Sequence, residues 1–175
     1  MQNIKAYVML VCASLFWAGN FMIGKYAFLE EIPPLSLVFY RWSLVWIILF
    51  PFTYKEIIKY KDTILNNLPL LFFLGLTSVG LFNSFTYLSL IHTQVINASL
   101  FNTAIPAIII LLCFLFKIEK TNKFQILGLI ISVGGILAII TKLKMEILLS
   151  LNFNKGDLIM IGGVITWGVY STLLK

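Results

Sequence analysis

The chain has 175 residues, of which 60% are hydrophobic and 11% are charged, with a mean hydropathy of +0.97. A water-soluble domain carries roughly 25% charged residues, so this composition excludes a water-soluble globular protein and indicates a membrane protein. The net charge of +6 does not indicate a nucleic-acid partner, because the lysines form short clusters between apolar runs rather than one basic face.

Six apolar segments follow one another along the chain, and each can form a helix that crosses a hydrocarbon core of about 30 Å. The predicted spans are residues 4–27, 34–54, 67–91, 94–116, 124–141 and 157–174. The first segment is longer than the apolar core of a signal peptide, roughly 7–15 residues, so we expect an uncleaved helix. The predicted fold class is therefore all-α, a polytopic bundle of membrane helices.

Positive charges in the connections predict the orientation of the bundle. The connections after the second and fourth spans are rich in lysine, whereas the connection after the third span has no Lys or Arg. The lysines are Lys55, Lys59, Lys61, Lys117, Lys120 and Lys123. Because cytoplasmic loops are enriched in Lys and Arg, this pattern predicts a cytoplasmic N-terminus. Lys142, Lys144 and Lys155 disagree with that orientation, but they lie in a longer linker, where charge counts less.

Polar side chains inside the spans are candidates for a substrate cavity, because they are costly in hydrocarbon and tend to face the protein interior. They are Trp17 and Asn20 in the first span, Asn83 and Tyr87 in the third, and Ser99, Asn102 and Pro106 in the fourth. Each has a second interpretation, as a hydrogen-bonding contact between helices worth about 0.6 kcal/mol. The stripe around Asn102 favours the cavity, because its residues share one helix face and the proline frees a backbone carbonyl.

Two basic residues lie within or near the ends of the spans. Arg41 is less than two turns into the second span, and Lys25 is near the end of the first. A long basic side chain at this depth can reach the membrane interface, which is the plainer interpretation. The alternative is a contact with an anion at the mouth of a cavity.

Several chemistries have no support in the sequence. No Asp or Glu lies at the centre of a span, so the embedded carboxylate typical of proton-coupled cation exporters is absent. There is no catalytic or phosphate-binding motif, and Cys12 and Cys113 lie in apolar runs without metal-ligand spacing. We therefore expect no enzyme activity, no metal and no organic cofactor.

The sixth segment is similar to the first. A shift of about 150 residues places Trp17 on Trp167 and Lys25 on Lys175. A five-span unit that starts again must do so in the opposite orientation, as in the inverted repeats of many secondary transporters. The predicted organisation is a first repeat over residues 1–141, a linker over 142–156, and the first helix of a truncated second repeat over 157–175.

Four stretches carry a resemblance to a known family. They are Phe16-Trp17-Ala18-Gly19-Asn20-Phe21 with Lys25, Phe39-Tyr40-Arg41, the run from Asn97 to Ala107 followed by Glu119, Gln125 and Gly128, and Gly156-Asp157 leading to Trp167, Tyr170 and Lys175. Their order and spacing resemble the EamA branch of the drug/metabolite transporter superfamily. The resemblance implies ten helices in two inverted halves, alternating access, and a central cavity lined by the first, third and fourth helices.

Carried over residue by residue, the resemblance implies six residues at or near the substrate path. They are Trp17, Asn20, Asn83, Tyr87, Asn102 and Pro106. Arg41 and Lys25 are candidate charges at the mouth of the cavity. Four helices of the second half are absent from this chain, so we expect a truncated product or a half that assembles with another chain.

The expected function is transport of small metabolites across the cytoplasmic membrane by alternating access. The aromatic and amide lining, without a central charge, favours a neutral or zwitterionic solute. Two alternatives stay open. One is a half-transporter that acts as a homo-oligomer, and the other is a non-transporting membrane subunit that stabilises a partner.

Overall fold

The computed structural model describes residues 2–119, 122–140 and 154–175. Within these ranges the chain is helical and contains no strand, which confirms the all-α prediction. The elements are α1 (Gln2–Leu29), α2 (Pro34–Lys59), α3 (Lys61–Asn66), α4 (Leu68–Gly75), the π-helical segment π1 (Leu76–Leu81), α5 (Phe82–His92), α6 (Val95–Asn102), α7 (Ile105–Leu115), α8 (Lys123–Ile140) and α9 (Lys155–Leu173).

Five helical units in the described ranges are long and apolar enough to cross a membrane. They are Ile4–Leu29, Pro34–Lys59, Leu68–His92, Val95–Leu115 and Lys155–Leu173. The third unit joins α4, π1 and α5, and the fourth joins α6 and α7. These units agree with the first four predicted spans and with the sixth. The fifth predicted span coincides with α8, except that residue 141 lies outside the described ranges.

The start of α9 differs from the predicted boundary at residue 157. Asn154 is the N-cap residue, and its side-chain oxygen accepts a hydrogen bond from the backbone N–H of Gly156 at 3.2 Å. Since this bond satisfies a backbone donor at the helix start, the helix begins at Lys155. Residues 142–153 of the predicted linker, including Lys142 and Lys144, lie outside the described residues.

Two spans depart from a regular α-helix near the residues predicted to line the path. In the third span, π1 leaves backbone carbonyls that the Asn83 side chain occupies: its Nδ2 donates to Ser78 O at 3.2 Å and to Val79 O at 3.0 Å. In the fourth span, α6 ends at Asn102 and α7 begins at Ile105. Pro106 explains this break, because it has no N–H to continue the helical bonding.

The helices pack most closely at one end of the bundle. We call it the short-turn end, because the connections at residues 30–33 and 93–94 lie there, together with the start of α9. The opposite, lysine-rich end contains the connections at residues 60–67 and 116–122. The buried core lies toward the short-turn end and between α1, α2, α5, α6, α7 and α9. Its members are Phe21, Val38, Phe82, Tyr87, Leu90, Ala98, Phe101, Ile105, Met160 and Val164.

A glycine lets α1 approach α5 closely beside this core. A Cβ atom on Gly24 would lie 2.7 Å from the ring of Tyr87 and 3.1 Å from the side chain of Leu90. Small residues at such crossings allow membrane helices to gain packing contacts that larger side chains would prevent. The contact fixes Tyr87 against α1 at Gly24, which lies about one helical turn after Asn20.

Candidate functional site

Arg41 joins three helices through hydrogen bonds to side chains that the sequence placed on the substrate path. Its Nη1 donates to Asn20 Oδ1 on α1 and to Tyr87 Oη on α5, and its Nη2 donates to Asn83 Oδ1 at 3.3 Å. Tyr87 Oη in turn donates to Asn20 Oδ1 at 2.5 Å. We call these four residues the Arg41 network.

The direction of Arg41 differs from the expectation that its side chain reaches the membrane interface. Arg41 lies about 10 Å from the start of α2 at 1.5 Å per residue, and its guanidinium turns into the bundle, where three neutral acceptors are available. Its Cζ also lies 5.2 Å from the ring centre of Trp42. Inward bonding satisfies the donors without exposing them to hydrocarbon, which explains the orientation.

No acidic side chain neutralises Arg41 among the residues that the structure describes. The ion pairs found there join Lys59 to Glu56 and Lys175 to Glu119, and both are at exposed positions. Arg41 is half-buried, and its acceptors are two amide oxygens and a phenol. The network therefore fixes the positions of Asn20 and Tyr87 and leaves a net positive charge inside the bundle.

A separate cavity of about 400 Å³ lies between α1, α6, α7 and α9. We call it the tryptophan cavity. Its lining residues are Ser14, Trp17, Ala18, Phe21, Ser99, Asn102, Thr103, Ile105, Pro106 and Trp167. The structure thus divides the predicted path residues into two groups. Trp17, Asn102 and Pro106 line the cavity, whereas Asn20, Asn83 and Tyr87 belong to the Arg41 network.

The lining of the tryptophan cavity is neutral, and one of its acceptors is vacant. Asn102 Oδ1 is buried and has no hydrogen-bond partner. The hydroxyls of Ser99 and Thr103 donate to carbonyls of their own helix, at 2.8 Å and 2.6 Å. A buried acceptor without a partner costs about 1–3 kcal/mol, so a solute that reached Asn102 Oδ1 and donated to it would relieve that cost.

Trp167 is a cavity residue that the sequence analysis did not assign to the path. Its ring centre lies 6.2 Å from that of Trp17 and 4.7 Å from that of Phe82. The signal that could have identified it is the repeat itself, since Trp167 occupies the position equivalent to Trp17. The two equivalent tryptophans lie next to each other in the cavity lining, with their ring planes tilted by 53°.

The structure places Lys25 at the end of the third span and not at the mouth of the tryptophan cavity. Its Nζ donates to the backbone carbonyls of Leu90 at 2.6 Å and Thr93 at 3.2 Å, at the C-terminal end of the third span. These carbonyls have no intrahelical donor, and a cation at a helix C-terminus is favourable. Lys25 therefore caps the C-terminal end of α5 and does not line the tryptophan cavity.

A larger cavity, of about 650 Å³, contains none of the predicted path residues. It follows α2 on the side of Trp42 and Trp46, and its remaining lining is mostly apolar. Trp42 Nε1 is buried there without an acceptor. Because the cavity lies away from the neutral polar groups of α6, we do not assign the substrate path to it.

Comparisons with known proteins agree with this architecture. The sequence profile of the EamA-like transporter family matches residues 4–141. An uncharacterized transporter, YyaM, of Bacillus subtilis is 28% identical over 99% of this chain and 56% of its own length. An uncharacterized transporter of Archaeoglobus fulgidus is 32% identical over 98% of this chain and 58% of its own length. A WAT1-related protein of Arabidopsis thaliana is 26% identical over 77% of this chain and 38% of its own length.

The chain spans about half the length of the Bacillus subtilis and Archaeoglobus fulgidus relatives. No solved structure matches it significantly. The family match and the five apolar helices identify a multi-pass membrane protein, and the prediction of the family is confirmed. The chain belongs to the EamA-like transporter family of the drug/metabolite transporter type.

Proposed function

We propose that the chain forms part of a transporter that moves a small metabolite across the cytoplasmic membrane by alternating access, and that it is not an enzyme. The observation that carries this proposal is the tryptophan cavity. It lies among membrane helices, has a neutral polar lining, and keeps the buried acceptor of Asn102 vacant. Family membership and relatives named as transporters support the same function.

The proposed solute is neutral or zwitterionic. None of the residues that line the tryptophan cavity is charged. Arg41 is not among the lining residues, and its hydrogen bond to Asn20 holds its positive charge outside the cavity. Asn20 follows the lining residue Trp17 by three residues on α1, so the charge lies about one helical turn from the cavity. In this proposal a solute with a hydrogen-bond donor bonds to Asn102 Oδ1, whereas a multivalent anion has no matching group in the lining.

The proposed orientation places the lysine-rich end in the cytoplasm. The connections after the second and fourth spans lie at that end, because alternate connections of a polytopic bundle lie on the same side. Lys55, Lys59 and Lys61 flank the first of them and Lys117 and Lys123 the second. An impermeant biotin reagent tests this: it should label a cysteine placed at Glu31 on intact cells, and one placed at Asp62 only after lysis.

Asn102→Leu tests the assignment of the cavity. We expect this variant to lose at least about tenfold in flux, because the solute loses its hydrogen bond to Asn102. This loss is equivalent to about 1.4 kcal/mol or more. The measurement is uptake of labelled neutral and zwitterionic metabolites into vesicles that contain the chain. Asn97→Leu is the matched control, since Asn97 lies on the same helix and does not line the cavity. Equal flux in the two variants would contradict the assignment.

A further inference from the structure

Thr93 ends the third span at a point where three helices meet. It is 4% exposed, and its Oγ1 donates a hydrogen bond to Asp157 Oδ1 of α9 at 2.7 Å. Its carbonyl accepts from Lys25 Nζ of α1 at 3.2 Å. Asp157 is 5% exposed, so both its charge and the Thr93 hydroxyl are removed from solvent. We call Lys25, Thr93 and Asp157 the Thr93 junction.

The backbones of α5 and α9 touch beside this junction. A Cβ atom on Gly156 would lie 2.5 Å from Ser89 O and 2.8 Å from Thr93 N. Only a residue without a side chain can occupy this position, because both obstacles are backbone atoms. The side-chain amide of Asn154 also donates to His92 O. The start of α9 is therefore attached to the end of α5 by three independent contacts.

The charges of the junction match the ends of the helices that they contact. Lys25 lies on the C-terminal carbonyls of α5, where the helix dipole is negative. Asp157 lies in the first turn of α9, where the dipole is positive. Neither charge needs a direct ion pair to be stable in this arrangement. Separation of α5 from both α1 and α9 would deprive Lys25 and Asp157 of these partners.

We propose that the Thr93 junction is the gate of the short-turn end. It holds α1, α5 and α9 together in the closed arrangement and separates when this end opens during transport, so the inference rests on the proposed function. A junction of this kind suits a gate because water that enters takes over the released hydrogen bonds, so the net contribution of each bond is much smaller than its gross strength. Small differential contacts of this size are sufficient to shift a two-state equilibrium.

Lys25, Thr93 and Asp157 are positioning residues in this proposal, since none of them lines the tryptophan cavity. They bias the population of the closed arrangement without contacting the solute. Their replacement should therefore change how often the short-turn end is open. A purely structural role would instead lower stability and leave the distance across that end unchanged.

A distance measurement between spin labels tests the gate. Tyr26 on α1 and Leu158 on α9 are exposed at the short-turn end and serve as labelling sites in a chain that lacks Cys12 and Cys113. In nanodiscs, Thr93→Val and Asp157→Ala should each increase the population with a longer Tyr26–Leu158 distance by about tenfold, which corresponds to 1.4 kcal/mol. Thr93→Ser keeps the hydroxyl and should retain the distribution of the unmodified chain.

Glu119→Gln is the control for a general loss of packing, because Glu119 pairs with Lys175 at the lysine-rich end. It should not alter the distance across the short-turn end. Unchanged distances in folded Thr93→Val and Asp157→Ala would overturn the proposal, and so would equal opening in Thr93→Val and Thr93→Ser. If Thr93→Val does not fold, Asp157→Ala decides alone.

The distances need no solute, so they separate the gate from the proposed function. If the variants of the Thr93 junction keep the short distance and Asn102→Leu loses flux, the gate is refuted and the proposed transport function still stands. Opening in Thr93→Val without flux of any solute through the unmodified chain would support a moving junction and contradict transport.

Discussion

The two ends of the bundle are stabilised in different ways, although the same helices run through both. At the short-turn end, α1 buries Phe21, which is 3% exposed, and the Arg41 network and the Thr93 junction join its neighbours. Toward the lysine-rich end, the same helix exposes an apolar surface, with Phe16 at 81%. Apolar exposure is not costly in lipid, so helix contacts there depend on close packing and polar bonds; the interhelical hydrogen bonds of α1 lie on the short-turn side of Phe16.

The largest effect should come from removing the charge at the centre of the packed end. Arg41→Leu removes the donor that three polar side chains on α1 and α5 share, and we expect a loss of about 3–5 kcal/mol in the free energy of unfolding, because each hydrogen bond to a charged group contributes roughly 1.5–3 kcal/mol. Lys61→Leu at the lysine-rich end should change it by less than about 0.5 kcal/mol. Denaturation in detergent micelles measures both. Equal losses would show that the two ends do not differ.

Two phenylalanines on α1 test the same difference in packing. Phe21→Ala should destabilise the chain by about 3 kcal/mol, because it leaves a cavity in the core. Phe16→Ala should have an effect close to zero, since its ring has few protein neighbours in this structure. Thermal unfolding of the two variants side by side measures the contrast. A large loss in Phe16→Ala would reveal a contact of that surface with another protein segment.

Two glycine substitutions, one at each end of the bundle, should give opposite signs. Gly156→Ala places a methyl group 2.5 Å from a backbone oxygen and should cost about 1–3 kcal/mol. Gly75→Ala on α4 meets nothing within 4 Å and should stabilise the helix by up to about 1 kcal/mol. The unfolding midpoints of the two variants should therefore move in opposite directions from that of the unmodified chain. A rise in Gly156→Ala would refute the close approach of α9 to α5.

The smallest effect concerns the exposed pair at the lysine-rich end. The hydrogen bond that Lys175 Nζ donates to the Glu119 carboxylate raises the pKa of Lys175 above its ordinary value. A raised pKa means that the pair contributes stability at neutral pH and that this contribution is lost as the pH rises through that pKa. The difference in unfolding midpoint between the unmodified chain and Lys175→Met should therefore be small at neutral pH and vanish in strong alkali. High salt should reduce it as well, because exposed pairs are screened.

The spans could be predicted from the sequence because a sufficiently long apolar run is enough to indicate a membrane helix. The same argument failed at the start of α9, where the cap of Asn154 and not hydropathy sets the boundary. It also did not predict α3, a short helix in the connection after the second span. Both features depend on local hydrogen bonds rather than on apolar length.

The candidate residues could be recognised, but their grouping could not. Arg41 has its partners on helices 21 to 46 residues away in sequence, so spacing within one helix could not show that its side chain turns inward. Lys25 has its acceptors 65 and 68 residues away, and those acceptors are backbone carbonyls that no sequence pattern marks. Whether the six path residues contact a solute stays a prediction.

The π-helical segment in the third span has a consequence for insertions and deletions. A π-bulge is an α-helix with one additional residue, and each residue turns the helix by about 100°. Deletion of Gly80 would convert π1 into a regular helix and leave α4 and α5 in nearly the same relative rotation, because the wider π turn absorbs the additional residue. A single lost codon in this segment would instead remove the free carbonyls of Ser78 and Val79 to which Asn83 donates, although every side chain of the Arg41 network would still be present.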